Sequence, residues 1–505
     1  MSPRAARPVG RVALTGATWS ALSQVFGVLL SFASMLLLAR LISPEEYGRF
    51  GAMLGFLIVI NVFSSGVFAG QALQLPEGQE PDWALHWSAG FYIQATLVLA
   101  CNLVAGICWL VPHYRSLAPL LHIAAIGLLL DWPAQFRRVM LERALNFRRL
   151  QVVLMVAALT RVAVTAAGAA VGGGAYALVL GANVVTAVPL AGDLLASGWR
   201  PPPGWWRWPA WQTYRPAFQF GLQQAASGLL ANVRLVVTST VIPPVAGFVA
   251  VGLLGRAQAL FSASVWRVGS ILIEGMYPLL PRAAANPDQY RRRAMLFARA
   301  VLFTVLPGAV YVGLKGPLLT HVLYGQRWVA ADPLIWPAAL AGAGLAVLVV
   351  STVVLLAANR LRVCLLVNVI GAAATLPGAA VALAGGGIAG YAWGLAIGDL
   401  LAAAVAWWMV RPILGPGSSR AILLPPVAVS AVAAAAVLTV NHLATGWPPA
   451  FDLLLSTVVF TLVGAAALRS LFPETLRLVL EQLPAGGHLR IWLWLPAHAS
   501  SAGAR

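Results

Sequence analysis

The stretch VALTGATWSALSQVFGVLLSFASMLLLAR, residues 12–40, contains one basic residue, at its last position, and no acidic residue. A helix needs about 20 mostly apolar residues to cross a bilayer, and this stretch exceeds that length. It is also too long for the hydrophobic part of a secretory signal peptide, although Arg4, Arg7 and Arg11 precede it. We therefore interpret it as the first of a series of membrane-spanning helices.

The same apolar character extends over the whole chain of 505 residues, of which 60% are hydrophobic and 10% are charged. The mean hydropathy of +0.83 agrees with this composition, which excludes a soluble globular protein. The apolar residues form continuous runs rather than the alternating pattern of a barrel wall, so helices are the predicted solution. Fourteen apolar windows predict an all-α polytopic membrane protein with about 14 transmembrane helices.

The formal net charge of +18 comes from 33 basic and 15 acidic residues. The basic residues lie in short loops between apolar runs, which is typical of the positive-inside rule and not of a nucleic-acid-binding domain. With the amino terminus placed in the cytoplasm, 23 basic residues fall inside, five outside (Lys315 among them) and five within spans. Both termini are therefore predicted to be cytoplasmic. The inside loop 71–87 is the exception, since it holds acidic residues and no basic one.

The chain carries no pattern of a catalytic or metal site. Its three cysteines, Cys101, Cys108 and Cys364, all fall in apolar segments and indicate neither a disulfide framework nor a zinc site. A phosphate-binding loop and a metalloprotease motif are also missing from the sequence. We predict no enzyme activity, no cofactor and no metal, with a membrane-embedded transferase as the open alternative.

Two internal similarities indicate a duplication. Ile42-Ser43-Pro44 lies against Ile242-Pro243-Pro244 at an offset of 200, and the glycine run before the sixth span recurs before the twelfth. An even number of helices per repeat predicts two parallel six-helix lobes with a binding site between them. The predicted domains are an N-lobe (1–197), a cytoplasmic inter-lobe linker (198–216), a C-lobe (217–411), spans thirteen and fourteen (412–471) and a cytoplasmic amphipathic tail (472–505).

Ionisable residues inside spans are the candidate functional residues, because a charge there costs several kcal/mol unless it faces a cavity or a partner. Arg234 and Arg256 are expected at matching depth on adjacent antiparallel helices, the seventh and eighth spans. Two such arginines repel each other unless an anion lies between them, and guanidinium groups match phosphate oxygens well. We therefore predict that both bind a pyrophosphate or another acidic ligand in a cavity.

The remaining charged residues in spans allow two interpretations. Arg267 and Glu274 share a helix face with Arg256 at 100° per residue, so they line the cavity or form a pair at the inner end. Asp131 and Arg161 lie near one level and form either a salt bridge or ligand contacts. Further candidates for ion coupling are Asp399, Glu274 and Asp131.

Polar and aromatic residues in the spans are candidates for sugar contacts and for positions at the membrane interface. Gln24, Gln224 and Asn232 are candidate contacts for sugar hydroxyls, with hydrogen bonds between helices as the alternative. Asp193 is expected at the inner interface. The following tryptophans are predicted to form an interfacial belt: Trp132, Trp266, Trp328, Trp336, Trp407 and Trp408.

Four segments resemble one family. LARLISPEEYGRFG (38–51) resembles the hallmark between the first two helices of bacterial polysaccharide transporters, the Wzx-type lipid-linked oligosaccharide flippases of the MOP superfamily. RALNFRR (143–149), LGRAQAL (254–260) and LYGQRW (323–328) are similar to that family too. Together with the fourteen-span plan, the resemblance covers nearly the whole chain.

The resemblance implies two lobes around a cationic central cavity and transport of undecaprenyl-pyrophosphate-linked oligosaccharides across the bacterial inner membrane by alternating access. Exopolysaccharide, O-antigen or capsule export would be the biological role. The family's cavity arginines map by location onto Arg234, Arg256, Arg267 and Arg161. Expected partners are the lipid-linked glycan, membrane lipids and the polysaccharide polymerase complex, and we expect a monomer.

Two alternatives in the same superfamily stay open. A cation-coupled multidrug antiporter would need an acidic N-lobe cavity, whereas spans one to three contain no acidic residue. A lipid II flippase has the more similar function, and the two flippases differ in that loss of lipid II transport should be lethal. A facilitator-type sugar transporter would normally have a basic loop between spans two and three, where this chain has an acidic one.

Overall fold

The fold is given by a computed structural model that describes residues 9–73, 75–76, 79–144, 146–196, 200–443 and 446–473. Over these ranges the chain is helical with short connections and forms no β-strand. This confirms the predicted all-α class. The α-helices are α1 (Val9–Leu41), α2 (Pro44–Asn61), α3 (Ser65–Ala69), α4 (Trp83–Leu110), α5 (Ala118–Arg143), α6 (Phe147–Ala170), α7 (Gly174–Ala196), α8 (Trp211–Phe261), α9 (Arg267–Met276), α10 (Pro287–Tyr324), α11 (Asp332–Ala357), α12 (Leu361–Ala373), α13 (Leu376–Val381), α14 (Gly387–Leu414), α15 (Ser418–Leu443) and α16 (Pro449–Leu471).

Eleven helical segments in the described part of the chain are long and apolar enough to cross a membrane. Two of them, Trp211–Ala283 and Leu361–Leu414, contain 73 and 54 residues, far more than one crossing needs. Left-handed glycines interrupt both, Gly247 with φ 77° in the first and Gly385 with φ 92° in the second. The total of fourteen spans stays a prediction.

The corner between α1 and α2 is built by local sequence signals. Ser43 caps α2, since its hydroxyl accepts a hydrogen bond from the Glu46 backbone N–H at 3.3 Å. Pro44 occupies the first position of the helix, where its missing N–H costs nothing. Glu45 and Glu46 place negative charge at the positive end of the helix dipole. The interactions that define this corner are therefore local in sequence.

The chain divides into two compact units. The first contains Met1–Arg256, Leu323–Ala330 and Ala379–Tyr391, and the second contains Ala257–Val322, Ala331–Gly378 and Ala392–Arg505. The predicted lobes and their boundaries stay a prediction. The expected amphipathic helix of the tail lies outside the described residues.

In the first unit, α2, α4, α5 and α7 surround one apolar core. Met53, Cys101, Leu121 and Val179 represent these four helices in it, and each is almost fully buried. The cysteines of this core thus have a packing role, as their apolar context predicts.

The predicted inside loop after α3 is held by an arginine from another helix. The guanidinium of Arg143, at the end of α5, donates to the carbonyl oxygens of Ala72 at 2.7 Å and Leu75 at 3.2 Å. It also donates to Pro76 at 3.4 Å and Gln79 at 2.5 Å. Arg143 of α5 thus brings a basic side chain to a loop that has none of its own.

Asp193 on α7 is buried within the first unit, and its place at the inner membrane interface stays a prediction. Its carboxylate accepts a hydrogen bond from Arg149 at 2.5 Å and lies 3.3 Å from Arg137. The group is 2% exposed, so the two arginines offset the cost of burying it. This network joins α5, α6 and α7.

In the second unit, a buried ion pair attaches the last two helices to α10. Lys315 was expected in an outer loop, but α10 continues to Tyr324 and Lys315 is 3% exposed. Its ammonium donates to Asp452 of α16 at 2.7 Å and also to Asn441 of α15. The expectation failed because a lysine does not itself end a helix, and the Asp452 carboxylate offsets the cost of burying its charge.

Candidate functional site

Arg256 on α8 lies in a cage of three aromatic rings within the first unit. Its guanidinium carbon is 3.8 Å from the ring centroid of Tyr47, 5.2 Å from that of Trp328 and 5.4 Å from that of Tyr324. The residue is 7% exposed. The faces of aromatic rings have a negative electrostatic potential that attracts a cation. Each such contact stabilises the fold by about 0.5 to 2 kcal/mol, with the larger values where water is excluded. We call these four residues the arginine cage.

The rings of the arginine cage are held by contacts to α1. The Trp328 indole N–H donates to the carbonyl oxygen of Ala39 at 2.8 Å, and the Tyr324 hydroxyl donates to the Met35 sulfur at 3.2 Å. Trp328 also packs edge-to-face on Tyr47, with ring centroids 5.6 Å apart. Trp328 is fully buried, so its assignment to an interfacial belt was wrong.

Glycines bring α2 close enough to α8 for this contact. A Cβ atom on Gly48 would overlap the carbonyl oxygen of Phe248, and one on Gly252 would overlap the carbonyl oxygen of Pro44. Small residues allow two helices to pack backbone to backbone in this way. Tyr47 and Arg256 are neighbours in space because these two glycines permit it.

Arg161 on α6 is brought toward the same tyrosine. The Tyr47 hydroxyl interacts electrostatically with Arg161 as well as with Arg256. Arg161 is exposed, whereas Arg256 is buried. Among the described residues, neither arginine forms an ion pair with a carboxylate. Two cations of the predicted spans thus act on Tyr47, and the part of the chain that the structure describes gives neither of them a carboxylate partner.

Arg234 occupies the arm of α8 that precedes Gly247, and its side chain is half-buried. It lies thirteen residues before Gly247, whereas Arg256 lies nine residues after it. At 1.5 Å per residue the two differ by about 6 Å in distance from the turn, so their predicted matching depth holds only approximately. The helix extends further than the apolar pattern indicated, which explains the difference.

The candidate amides have different surroundings. Asn232 donates to the carbonyl oxygen of Gly228 on its own helix at 2.8 Å. Gln24 on α1 and Gln224 on α8 are both exposed. Their role in binding sugar hydroxyls stays a prediction.

Arg267 and Glu274 lie on α9 in the second unit, and both are exposed. The shared face predicted for Arg256 and Arg267 assumed a regular helix. A π-helical turn at Ser262–Trp266 interrupts that regularity, so the calculation at 100° per residue does not apply across it.

The acidic candidates have different surroundings. Asp131 accepts a hydrogen bond from Gln135 on its own helix at 3.2 Å, and it forms no salt bridge with Arg161. Asp399 on α14 is 3% exposed, and its backbone packs against Gly344 of α11, where a Cβ would lie 2.9 Å from the Asp399 carbonyl oxygen. Ion coupling by either residue stays a prediction.

Sequence reasoning did not identify the three rings of the arginine cage as site residues. Tyr47, Tyr324 and Trp328 each lie inside a segment that carried the family resemblance, but their meeting depends on tertiary packing. The available signal was Arg256 itself, because a buried arginine without an acidic partner requires aromatic or carbonyl neighbours.

Comparisons with known proteins agree with this architecture. Residues 37–333 match the model of a family described as polysaccharide biosynthesis protein. No curated protein matches the chain. The fold is similar to that of the lipid II flippase MurJ in an inward closed conformation, with a TM-score of 0.68 and 12% identity over 91% of this chain and 99% of that one. It is also similar to an inward-facing multidrug resistance MATE family transporter of the MOP superfamily, with a TM-score of 0.51 and 13% identity over 77% of this chain and 94% of that one.

Proposed function

Since the chain belongs to the polysaccharide biosynthesis protein family and has the fold of MOP superfamily transporters, we propose that it flips undecaprenyl-pyrophosphate-linked oligosaccharide repeat units across the bacterial inner membrane. Transport would proceed by alternating access and would serve exopolysaccharide, O-antigen or capsule export. Both termini would lie in the cytoplasm.

The observation that carries this proposal is the convergence of Arg161 and Arg256 on Tyr47 without a described acidic partner. A cation inside the membrane costs several kcal/mol when nothing offsets its charge. The aromatic rings offset part of this cost for Arg256, and Arg161 has no such cage. A pyrophosphate group would supply the missing negative charge at this place.

The proposed pyrophosphate ligands are Arg161 and Arg234, which are more accessible than Arg256 in this conformation. Arg256 would act by its positive potential and, when the cage opens, by direct contact. Arg267, Gln24, Gln224 and Asn232 are the further proposed glycan contacts, and Asp399, Glu274 and Asp131 are the proposed coupling residues.

Depletion of the protein tests the proposal in cells. Polyprenyl-pyrophosphate glycans would be identified by mass spectrometry, and their leaflet would be assigned with a membrane-impermeant glycan-modifying reagent. We expect one repeat unit to accumulate on the inner leaflet, which would identify the sugar as well. If no lipid-linked glycan accumulates, the flippase proposal fails.

A lipid II flippase is the second candidate, favoured by the similarity to MurJ over 99% of that chain. Lipid II has the same polyprenyl-pyrophosphate anchor as the proposed oligosaccharide substrate, so the same arginines would bind its pyrophosphate. The depletion experiment separates the two candidates, because accumulation of the wall precursor together with lysis would indicate lipid II.

A further inference from the structure

A polar cavity of about 540 Å³ opens in the first unit where the ends of α2, α4, α5 and α7 meet. None of the residues proposed above to bind the substrate lines it. Its lining includes Glu45, Glu46, Arg49, Trp109, Arg115 and Tyr176. Its volume lies within the range of about 300 to 1,000 Å³ that is typical of small-ligand sites.

The charged groups of the cavity are held in fixed positions. Arg49 bridges both carboxylates, with its nitrogens 2.6 Å from Glu45 and 2.9 Å from Glu46. The second oxygen of Glu46 accepts a hydrogen bond from the Ala175 backbone N–H at 2.8 Å, at the beginning of α7. The acceptors and donors of the cavity are thus oriented before a ligand arrives, which lowers the entropy cost of binding.

Aromatic faces stand beside these groups. Trp109 at the end of α4 is 46% exposed, and Tyr176 in the first turn of α7 is 43% exposed. The Arg115 guanidinium lies 5.5 Å from the Trp109 ring centroid, which limits the motion of this indole. Two large aromatic surfaces therefore remain accessible beside the charged groups of the cavity.

The balance of charge identifies the class of ligand. Two carboxylates and two guanidinium groups have a formal sum of zero, and His113 is the remaining side chain of the lining that titrates near neutral pH, so the cavity favours a neutral ligand over an ion of either sign. A sugar fits the arrangement, because its hydroxyls both donate and accept hydrogen bonds and its C–H groups pack on the negative faces of aromatic rings. We propose that this cavity binds an oligosaccharide.

The place of the cavity indicates which oligosaccharide it receives. The beginnings of α2 and α7 and the end of α4 lie on the predicted outer side of the membrane. The ligand would then be the glycan portion of the repeat unit after it has crossed. This assignment of the glycan rests on the proposed function, whereas oligosaccharide binding itself does not.

A binding experiment on the full-length purified protein tests the proposal. The probe is the repeat-unit oligosaccharide released by mild acid from the polysaccharide of the same cells, without lipid or phosphate, titrated by saturation-transfer NMR. We expect Trp109→Ala and Tyr176→Ala each to weaken binding by about tenfold. Trp393→Ala is the matched control, since Trp393 is 45% exposed but does not line the cavity, and its affinity should equal that of the wild type. Unchanged size-exclusion elution would show that each variant is folded.

Four outcomes decide between these possibilities. Equal affinity of the wild type and both cavity variants would overturn the proposal. If the free oligosaccharide does not bind while the lipid-linked unit is still translocated in proteoliposomes, the cavity proposal fails and the flippase function stands. If Trp109→Ala alters polymer length in cells without weakening oligosaccharide binding, the cavity contacts a protein and the proposal is again overturned. If Trp109→Ala and Tyr176→Ala weaken oligosaccharide binding but the wild type does not translocate the lipid-linked unit, the cavity proposal is supported and the flippase proposal is contradicted.

Discussion

The guanidinium carbon of Arg256 lies 3.8 Å from the centroid of the Tyr47 ring. This contact joins the first turns of α2 to the part of α8 that follows Gly247. It depends on the glycine packing beside it, because a side chain at Gly48 or Gly252 would push the two helices apart. The arginine cage and the close packing of α2 on α8 therefore form one structural element. Substitutions at Tyr47 and at Gly252 separate their contributions to stability.

Removing the Tyr47 ring should destabilise the protein more than removing its hydroxyl. Tyr47→Leu deletes the aromatic face above Arg256 and should cost about 1 to 2 kcal/mol. Tyr47→Phe keeps the aromatic face, so its stability should be close to that of the wild type. Thermal unfolding of the purified variants measures this difference, and equal Tm values for Leu and Phe would show that the cation–π contact does not stabilise the fold.

A methyl group at Gly252 should be poorly tolerated, whereas one at Gly255 should be harmless. A Cβ at Gly252 would overlap the carbonyl oxygen of Pro44, and one at Gly255 meets no atom within 4 Å. Overpacking of this kind typically costs about 1 to 3 kcal/mol. We therefore expect Gly252→Ala to lower the Tm by several degrees and to reduce export. Gly255→Ala is the control on the same helix, and similar losses in both would contradict the packing account.

The ion pair between Lys315 and Asp452 should show strong coupling. Lys315→Met leaves the Asp452 carboxylate without its cation in a largely buried place, and breaking a buried pair typically costs about 3 to 5 kcal/mol. The double variant Lys315→Met with Asp452→Leu removes both charges and should be more stable than either single variant. A double-mutant cycle from thermal unfolding measures the coupling energy between Lys315 and Asp452. Additive losses of stability would show that the two charges do not stabilise each other.

The sequence predicted the fold class because apolar runs of spanning length allow few alternatives. The resemblance of residues 38–51 also placed a connection between the first two helices, and this segment contains the corner at Ser43-Pro44. Predictions failed where tertiary contacts decided the outcome. Lys315 was assigned to a loop because charge in an apolar protein normally lies there, and the structure instead buries it in α10 with a partner from α16.

The candidate site was predicted in part. Arg161, Arg234 and Arg256 could be selected because charges inside spans are rare, and the structure brings two of them to Tyr47. The rings around Arg256 come from positions 47, 324 and 328. No helical periodicity connects position 47 with the other two. Trp328 in particular has the same local pattern as an interfacial tryptophan, so only its hydrogen bond to Ala39 reveals its place.

Translocation of the native lipid-linked unit in proteoliposomes tests the central claim most directly. The unit would be incorporated with the protein, and the fraction accessible to an impermeant glycan-modifying reagent would be followed over time. We predict that the wild type makes the initially protected fraction accessible and that Arg161→Gln with Arg234→Gln reduces the rate at least about tenfold without altering insertion. Equal rates for the double variant and the wild type, or no difference between wild-type and protein-free liposomes, would contradict the account.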